Sequence, residues 1–373
     1  MEAKVKRVFN DIWGFDVRDD QLTAVLAVLE GKDVFVGMAT GTGKSLCYQC
    51  IPLCLTEPKL VVVVSPLRAL ISDQIHRFQT ATHYKGIHLK SVEEIKKYRK
   101  TPDKDVRLVF MAPEELTSSE GRILMQMPPL PIALVAVDEA HCIPEWGTDF
   151  RVAFQDIGSL RAILPGVPFM ALTATATTAV QKSVLKALHM NDPTDPTKVP
   201  TIIKGSLNRE NIFLVPKKIH SMKEDLAPLI RMIGGAEDAA SIDKHIVYVG
   251  LKQKVMEVWS HLTKACRPNH RGTVRTFHAD MSPKARDDIL EGFREGRIRV
   301  IVASVAFGMG IDVPDVKGVV VYGMPSTIGQ LYQGGLEEEV TLPMQSSTSV
   351  RLTGQSRGPC KTSTKQTAYD GHF

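Results

Sequence analysis

The stretch Asp33-Val34-Phe35-Val36-Gly37-Met38-Ala39-Thr40-Gly41-Thr42-Gly43-Lys44-Ser45 decides the fold. Asp33–Gly37 reads as a short buried strand, and the residues after Ser45 read as an amphipathic helix. A glycine-rich loop in that setting seats phosphate. Glycines 41 and 43 let backbone N–H groups turn inward, and the helix N-terminus adds its positive dipole. Lys44 then reaches the β and γ phosphates of a nucleotide, and the Ser45 hydroxyl is placed to ligate Mg2+. Thr40 and Thr42 complete the loop. Met38 stands where the strict pattern has glycine, so this is a variant of the motif. A plain glycine-rich turn is the alternative, and the strand before it and helix after it weigh against that.

Outward from this loop, apolar runs recur at Leu60–Ser65, Leu108–Met111, Ile132–Val137 and Phe169–Thr173. Continuous apolar strands alternating with helices predict a parallel sheet covered on both faces. A second series follows at Ile212–Val215, His245–Val249, Val274–Phe277, Arg299–Ala303 and Gly318–Tyr322. The expected fold class is therefore α/β with two domains, 1–206 and 207–335. Met190–Pro200 and Met232–Ser241 read as loops. From residue 336 to 373 serine, threonine, glutamine and glycine prevail, which predicts a disordered tail.

The second informative stretch is Val137-Asp138-Glu139-Ala140-His141-Cys142-Ile143-Pro144-Glu145-Trp146-Gly147-Thr148-Asp149-Phe150-Arg151. Its two adjacent carboxylates close an apolar run, where they need a cation or a proton. Asp138 suits a second Mg2+ contact. Glu139 suits orienting and deprotonating an attacking water. His141 is placed to couple the nucleotide to the other domain; a helix-start histidine with a local hydrogen bond is the alternative. Trp146, Phe150 and Arg151 supply two aromatic faces and a guanidinium, groups that stack on unpaired bases and grip phosphate. A buried core tryptophan is the alternative at 146.

Composition sets bounds rather than function. With 373 residues the chain holds two full-sized cores, and 43% hydrophobic with 23% charged residues is ordinary for a folded protein. A net charge of +5 permits a nucleic-acid partner without demanding one. No apolar run is long enough to span a membrane, and no secretory leader opens the chain. Cys47, Cys50 and Cys54 fall about a helical turn apart, which predicts core packing rather than metal binding. Free thiols fit a reducing compartment.

With these residues in place the chain resembles the RecQ family of superfamily 2 DNA helicases across roughly residues 5–333. Trp13-Gly14-Phe15-Asp16-Val17-Arg18-Asp19-Asp20-Gln21 is similar to the family's adenine-reading element. That likeness assigns the adenine edge to Gln21 and the ring faces to Phe15 and Arg18. Ser65-Pro66-Leu67-Arg68-Ala69-Leu70 and Ala112-Pro113-Glu114-Glu115 resemble its DNA-backbone motifs, with Arg68 as a contact. Trp146–Arg151 resembles the loop that couples single-stranded DNA to hydrolysis. Ala171-Leu172-Thr173-Ala174-Thr175-Ala176-Thr177 resembles the motif linking hydrolysis to domain closure, its threonines placed to bond the acidic motif. In the second domain Thr276-Phe277-His278-Ala279 and Val302-Ala303-Ser304-Val305-Ala306-Phe307-Gly308-Met309-Gly310-Ile311-Asp312 match family motifs, offering His278 to DNA and Asp312 to nucleotide.

The resemblance implies two RecA-like domains of the P-loop NTPase type, ATP and Mg2+ as cofactors, and single-stranded and duplex DNA as partners. It also implies 3′ to 5′ translocation in DNA repair or recombination, in a nucleus or a prokaryotic cytoplasm. One motif departs. Where the family has a glutamine followed by two arginines, this chain reads Gln333-Gly334-Gly335-Leu336-Glu337-Glu338-Glu339. Such arginines contribute about 10³–10⁵ in rate in related NTPases. Their loss, with the family's zinc-binding and winged-helix regions missing, implies an altered or truncated product. The second functional expectation is thus a nucleotide- and DNA-binding module with impaired turnover.

Overall fold

The computed structural model describes residues 1–39, 41–66, 68–145, 156–190, 199–205, 214–278, 280–304, 313, 315–323 and 348–352. At 68–70, 144–145, 214–217, 252, 269, 283 and 348–352 it describes the backbone alone. The chain forms two compact units, the first built on Met1–Glu210 and the second on Asn211–Ser304.

In the first unit seven described strands lie in the order β3-β4-β2-β5-β6-β1-β7. They are β1 Val34–Gly37, β2 Leu60–Val64, β3 Lys85–His88, β4 Val106–Met111, β5 Ile132–Val137, β6 Phe169–Thr173 and β7 Thr201–Lys204. All pairings are parallel. Alternation along each strand explains the two-sided burial. Val34 and Val36, Val61 and Val63, and Leu134 and Ala136 enter one core, while Phe35, Val62, Val64, Val135 and Val137 enter the other. A side-chain period of two with both phases apolar is the signature of a sheet covered on both faces. The edge strands β3 and β7 escaped the sequence reading because they are short and partly polar, with only Gly86 buried in β3 and only Ile203 in β7.

Helices α1 Glu2–Trp13, α2 Asp19–Leu29, α3 Lys44–Gln49, α4 Ile51–Cys54 and α5 Arg68–Ala81 bear on the functional site. Pro52 opens α4, so the helix predicted after Ser45 is interrupted at Cys50. Cys47, Cys50 and Cys54 are buried free thiols in the core, as their spacing suggested. At the start of β1, Asp33 accepts both guanidinium nitrogens of Arg161, at 3.0 and 2.6 Å, and the Phe169 N–H at 2.8 Å. This clamp fixes the N-terminal ends of β1 and β6, opposite the strand ends from which the glycine-rich loop and the acidic turn leave.

The second unit has β8 Leu214–Lys218, β9 Lys244–Val249, β10 Val274–Phe277, β11 Val300–Ser304, β12 Val316–Tyr322 and β13 Thr348–Leu352, ordered β10-β11-β9-β12-β13-β8. The sheet is parallel from β10 to β12, but β13 pairs antiparallel with both β12 and β8. Thr348–Leu352, inside the stretch read as a tail, forms this strand, and Thr-Ser-Val-Arg-Leu carries its alternation in Val350-Arg351-Leu352. The loop expected from Met232 also starts later, because Ala227–Gly235 is helical and Ile233 is buried in the core. Of the loop at 190–200, residues 191–198 lie outside the described residues. No described helix is long and apolar enough to cross a membrane.

Candidate nucleotide site

The loop after β1 and the acidic turn after β5 leave the same C-terminal edge, separated only by β6. Register sets this: Gly37 pairs with Thr173, and Val137 pairs with Ala171. The ladder runs one residue further on each side. Met38 N–H donates to the Thr173 carbonyl at 3.1 Å, Ala140 N–H to Leu172 at 2.9 Å, and Asp138 N–H to Val64 at 2.9 Å. Such an edge is where open parallel sheets bind ligands. Small residues are required at the crossing, since a Cβ on Gly37 would collide with Cβ of Ala176.

Around the phosphate loop, Gly43 has φ 80° and a Cβ there would sit 2.6 Å from Gln21 Nε2. Both constraints demand glycine. The loop is held closed by its own groups: the Thr42 hydroxyl and the Lys44 ammonium donate to the Ala39 carbonyl at 2.6 and 3.1 Å. Gln21, buried in α2, donates through Nε2 to the carbonyls of Thr42 and Gly43 at 3.2 and 3.1 Å. Its Oε1 accepts the Arg18 N–H at 3.1 Å, and the Arg18 guanidinium donates to Thr42 O at 3.3 Å. The adenine-reading candidates are therefore joined to the phosphate loop directly. Phe15 is 45% exposed and meets Phe9 edge-on, 6.2 Å between ring centres.

In the acidic turn Glu139 adopts φ 51°, a left-handed conformation rare for this residue type and frequent at functional sites. Burial pushes the carboxyl pKa values of both Asp138 and Glu139 up. Glu139 raises Asp138 further, and Lys44 opposes both shifts. Two desolvated carboxylates beside a single ammonium want another cation. His141 is 2% exposed, and its pKa is pushed down to about 3, first by burial and then by Lys44. It is therefore neutral near pH 7, so the 3.3 Å contact from Nδ1 to Glu139 Oε2 is not an ion pair. The same nitrogen lies 3.1 Å from Thr173 Oγ1.

A hydroxyl at Ser45 and a carboxylate at Asp138 are hard oxygen donors suited to Mg2+. Among the described residues no group of three His, Cys, Asp or Glu could hold a metal. Magnesium typically takes one or two protein oxygens and completes its shell with water and phosphate. The donor set fits.

The structure thus brings together Lys44, Ser45, Gly41, Thr42, Gly43, Arg18, Gln21, Asp138, Glu139 and His141. His278 follows β10 in the other unit, half-buried. Thr40, Trp146, Phe150, Arg151 and Asp312 lie outside the described residues, as does the side chain of Arg68. Two residues escaped the sequence reading. Gln74 of α5 donates to Ser45 Oγ at 3.0 Å, and Gln49 donates to Gln74 Oε1 at 2.8 Å. No local sequence signal marks them: Gln49 is a buried amide that needs a partner, but only the structure shows its burial.

Two family models match the sequence: DEAD/DEAH box helicase over residues 18–183, and helicase conserved C-terminal domain over residues 224–334. The ATP-dependent helicase wrn-1 of Caenorhabditis elegans is 35% identical over 332 residues, covering 85% of this chain and 29% of that protein. The ATP-dependent DNA helicase RecQ of Pasteurella multocida is 31% identical over 333 residues, covering 87% of this chain and 49% of that protein. This chain spans half or less of either relative. The solved structure of the DUF1998 helicase MrfA bound to DNA shares the fold, with a TM-score of 0.70 over 91% of this chain and 50% of that one, at 19% identity.

Proposed function

Because the chain belongs to the RecQ family of superfamily 2 helicases, we propose that it is an ATP-dependent DNA helicase that translocates 3′ to 5′ on single-stranded DNA and opens duplexes. The observation that carries this is the meeting of the Lys44 loop and the Asp138–Glu139 pair on one sheet edge, bridged by Thr173.

In this reading residues 1–206 form the nucleotide domain and 207–335 the second helicase domain. Lys44 exchanges the Ala39 carbonyl for the β and γ phosphates of ATP. Gln21 reads the adenine edge while Phe15 and Arg18 flank the ring, and Asp312 contributes to nucleotide contact. Ser45 and Asp138 hold Mg2+, which when bound neutralises phosphate charge. Glu139 takes the proton of the attacking water, its raised basicity suited to that task. Neutral His141 hydrogen-bonds the Thr173 hydroxyl while its ring packs against the Glu139 carboxylate. Arg68, Trp146, Phe150, Arg151 and His278 contact DNA. The work fits repair or recombination, in a nucleus or a prokaryotic cytoplasm.

A second reading rests on Gln333–Glu339, where glutamates stand in place of the family's arginines. It holds that the chain binds nucleotide and DNA with little turnover. Strand displacement on a partial duplex with a 3′ single-stranded arm separates the two. Unwinding that requires ATP supports the helicase; tight ATP-analogue and DNA binding without displacement supports the binding module.

A further inference from the structure

We propose that Gln74 is a positioning residue for the Ser45 hydroxyl, fixing the face that this hydroxyl turns to magnesium; the proposal rests on the reading of Ser45 as a magnesium ligand.

A serine hydroxyl carries one proton and two acceptor lone pairs. Gln74 Nε2 donates to Ser45 Oγ at 3.0 Å and so occupies one lone pair. That leaves one lone pair and the proton, and the buried Tyr48 phenol also lies beside this hydroxyl. The Gln74 amide is itself held, because its Oε1 accepts from Gln49 Nε2 at 2.8 Å. Gln49 is 3% exposed and lies four residues after Ser45, on the same face of α3. With its oxygen engaged by Gln49, Gln74 has only its NH2 to turn toward Ser45. The donor chain Gln49 to Gln74 to Ser45 therefore has one direction.

Packing alone does not call for this chain. α5 buries Ile71 and Phe78 in the core of the first unit, which anchors the helix without an amide. A glutamine at 74 adds a desolvation cost that only its hydrogen bonds offset. One of those bonds ends on the atom assigned to the metal. Groups that orient a ligand from behind typically change metal affinity by 10–100-fold when lost. α5 also starts at Arg68, so this contact ties the metal ligand to the helix that begins in the 65–70 motif.

The test is equilibrium binding of a fluorescent, non-hydrolysable ATP analogue to the full chain, in EDTA and across a Mg2+ titration. Gln74→Leu is expected to raise the Mg2+ midpoint by about tenfold and to leave metal-free binding unchanged. A merely structural role would weaken metal-free binding and stability together, without a selective shift in the midpoint, and that result overturns the proposal. Ser45→Ala distinguishes the two levels. If it leaves the Mg2+ midpoint at the wild-type value, the assignment of Ser45 is wrong. If Ser45→Ala moves the midpoint and Gln74→Leu does not, only the positioning role falls. Should Gln74→Leu fail to fold, Gln49→Met decides, because it removes only the donor that pins Gln74. It is expected to shift the midpoint in the same direction by less, and an unshifted midpoint overturns the proposal.

Discussion

His141 presents Nδ1 to the Thr173 hydroxyl at 3.1 Å, while the Thr173 carbonyl accepts the Met38 N–H at 3.1 Å. One threonine thus touches the acidic turn with its side chain and the phosphate loop with its backbone. Thr175 N–H donates to the same hydroxyl at 3.0 Å, which fixes its rotamer. These hydrogen bonds join the acidic turn to the phosphate loop through β6. Thr173→Val keeps the shape and the carbonyl but deletes the hydroxyl. It is expected to lower kcat for ATP by about tenfold, on the scale of 1.4 kcal/mol, with analogue affinity unchanged. Steady-state hydrolysis and equilibrium binding measured side by side check this.

The histidine itself gives a pH prediction. Its folded pKa is depressed to about 3 from an ordinary 6.5. The unfolded chain therefore takes up a proton that the folded chain refuses, and His141 contributes stability that is lost as pH falls from about 6.5 toward 3. In a histidine-resolved NMR titration the His141 ring is expected to stay neutral from pH 8 to pH 5. A midpoint near 6.5 would show that the ring is not held as described.

The carboxylates predict the opposite sign. Asp138 and Glu139 keep their protons to higher pH folded than unfolded, so the metal-free protein loses stability as pH rises through their raised values. Asp138→Asn removes one buried charge. At pH 8 without Mg2+ it is expected to stabilise the protein by about 1 kcal/mol or more, about 2–4 °C in Tm for a unit of this size. The gain should shrink at pH 5. A loss of Tm at pH 8 would mean that the carboxylate is already paired.

Gln21 closes two carbonyls of the phosphate loop and is proposed to read adenine. Gln21→Ala is expected to weaken ATP-analogue binding by about tenfold, the scale of one or two lost hydrogen bonds to a buried group. It should also narrow the preference for ATP over GTP. Competition binding with both nucleotides measures this, and an unchanged preference would remove Gln21 from base recognition.

Much of this was legible in the sequence for a simple physical reason. Val34–Gly37, Leu60–Val64 and Ile132–Val137 are apolar at every position, and only a sheet buried on both faces uses such runs. The phosphate loop and acidic turn declare themselves because glycine at φ 80° and adjacent carboxylates at a strand end have few other uses. What stayed hidden depends on contacts distant in sequence. Gln74 and Ser45 are 29 residues apart, and nothing local marks the pair. β13 was read as tail because its alternation covers only Val350-Arg351-Leu352 amid serine, threonine and glycine. Its partners β12 and β8 supply the pairing that the sequence alone does not display.

Trp146 tests the polymer contact separately from the chemistry. Trp146→Ala is expected to leave basal ATP hydrolysis near wild type and to abolish its stimulation by single-stranded DNA, since stacking contributes about 1–3 kcal/mol per base. Fluorescence anisotropy of a labelled oligonucleotide should show weaker binding in parallel. Full stimulation in the variant would place the tryptophan in the core instead.

The most direct test of the central claim is single-turnover ATP hydrolysis by the wild-type chain and by Lys44→Ala, with and without single-stranded DNA. The account predicts hydrolysis that DNA accelerates in the wild type and a fall of about 10²-fold or more in the variant, the scale of losing one positioned charge in a preorganised site. Wild-type turnover no greater than that of Lys44→Ala, or stimulation by RNA in preference to DNA, would contradict it.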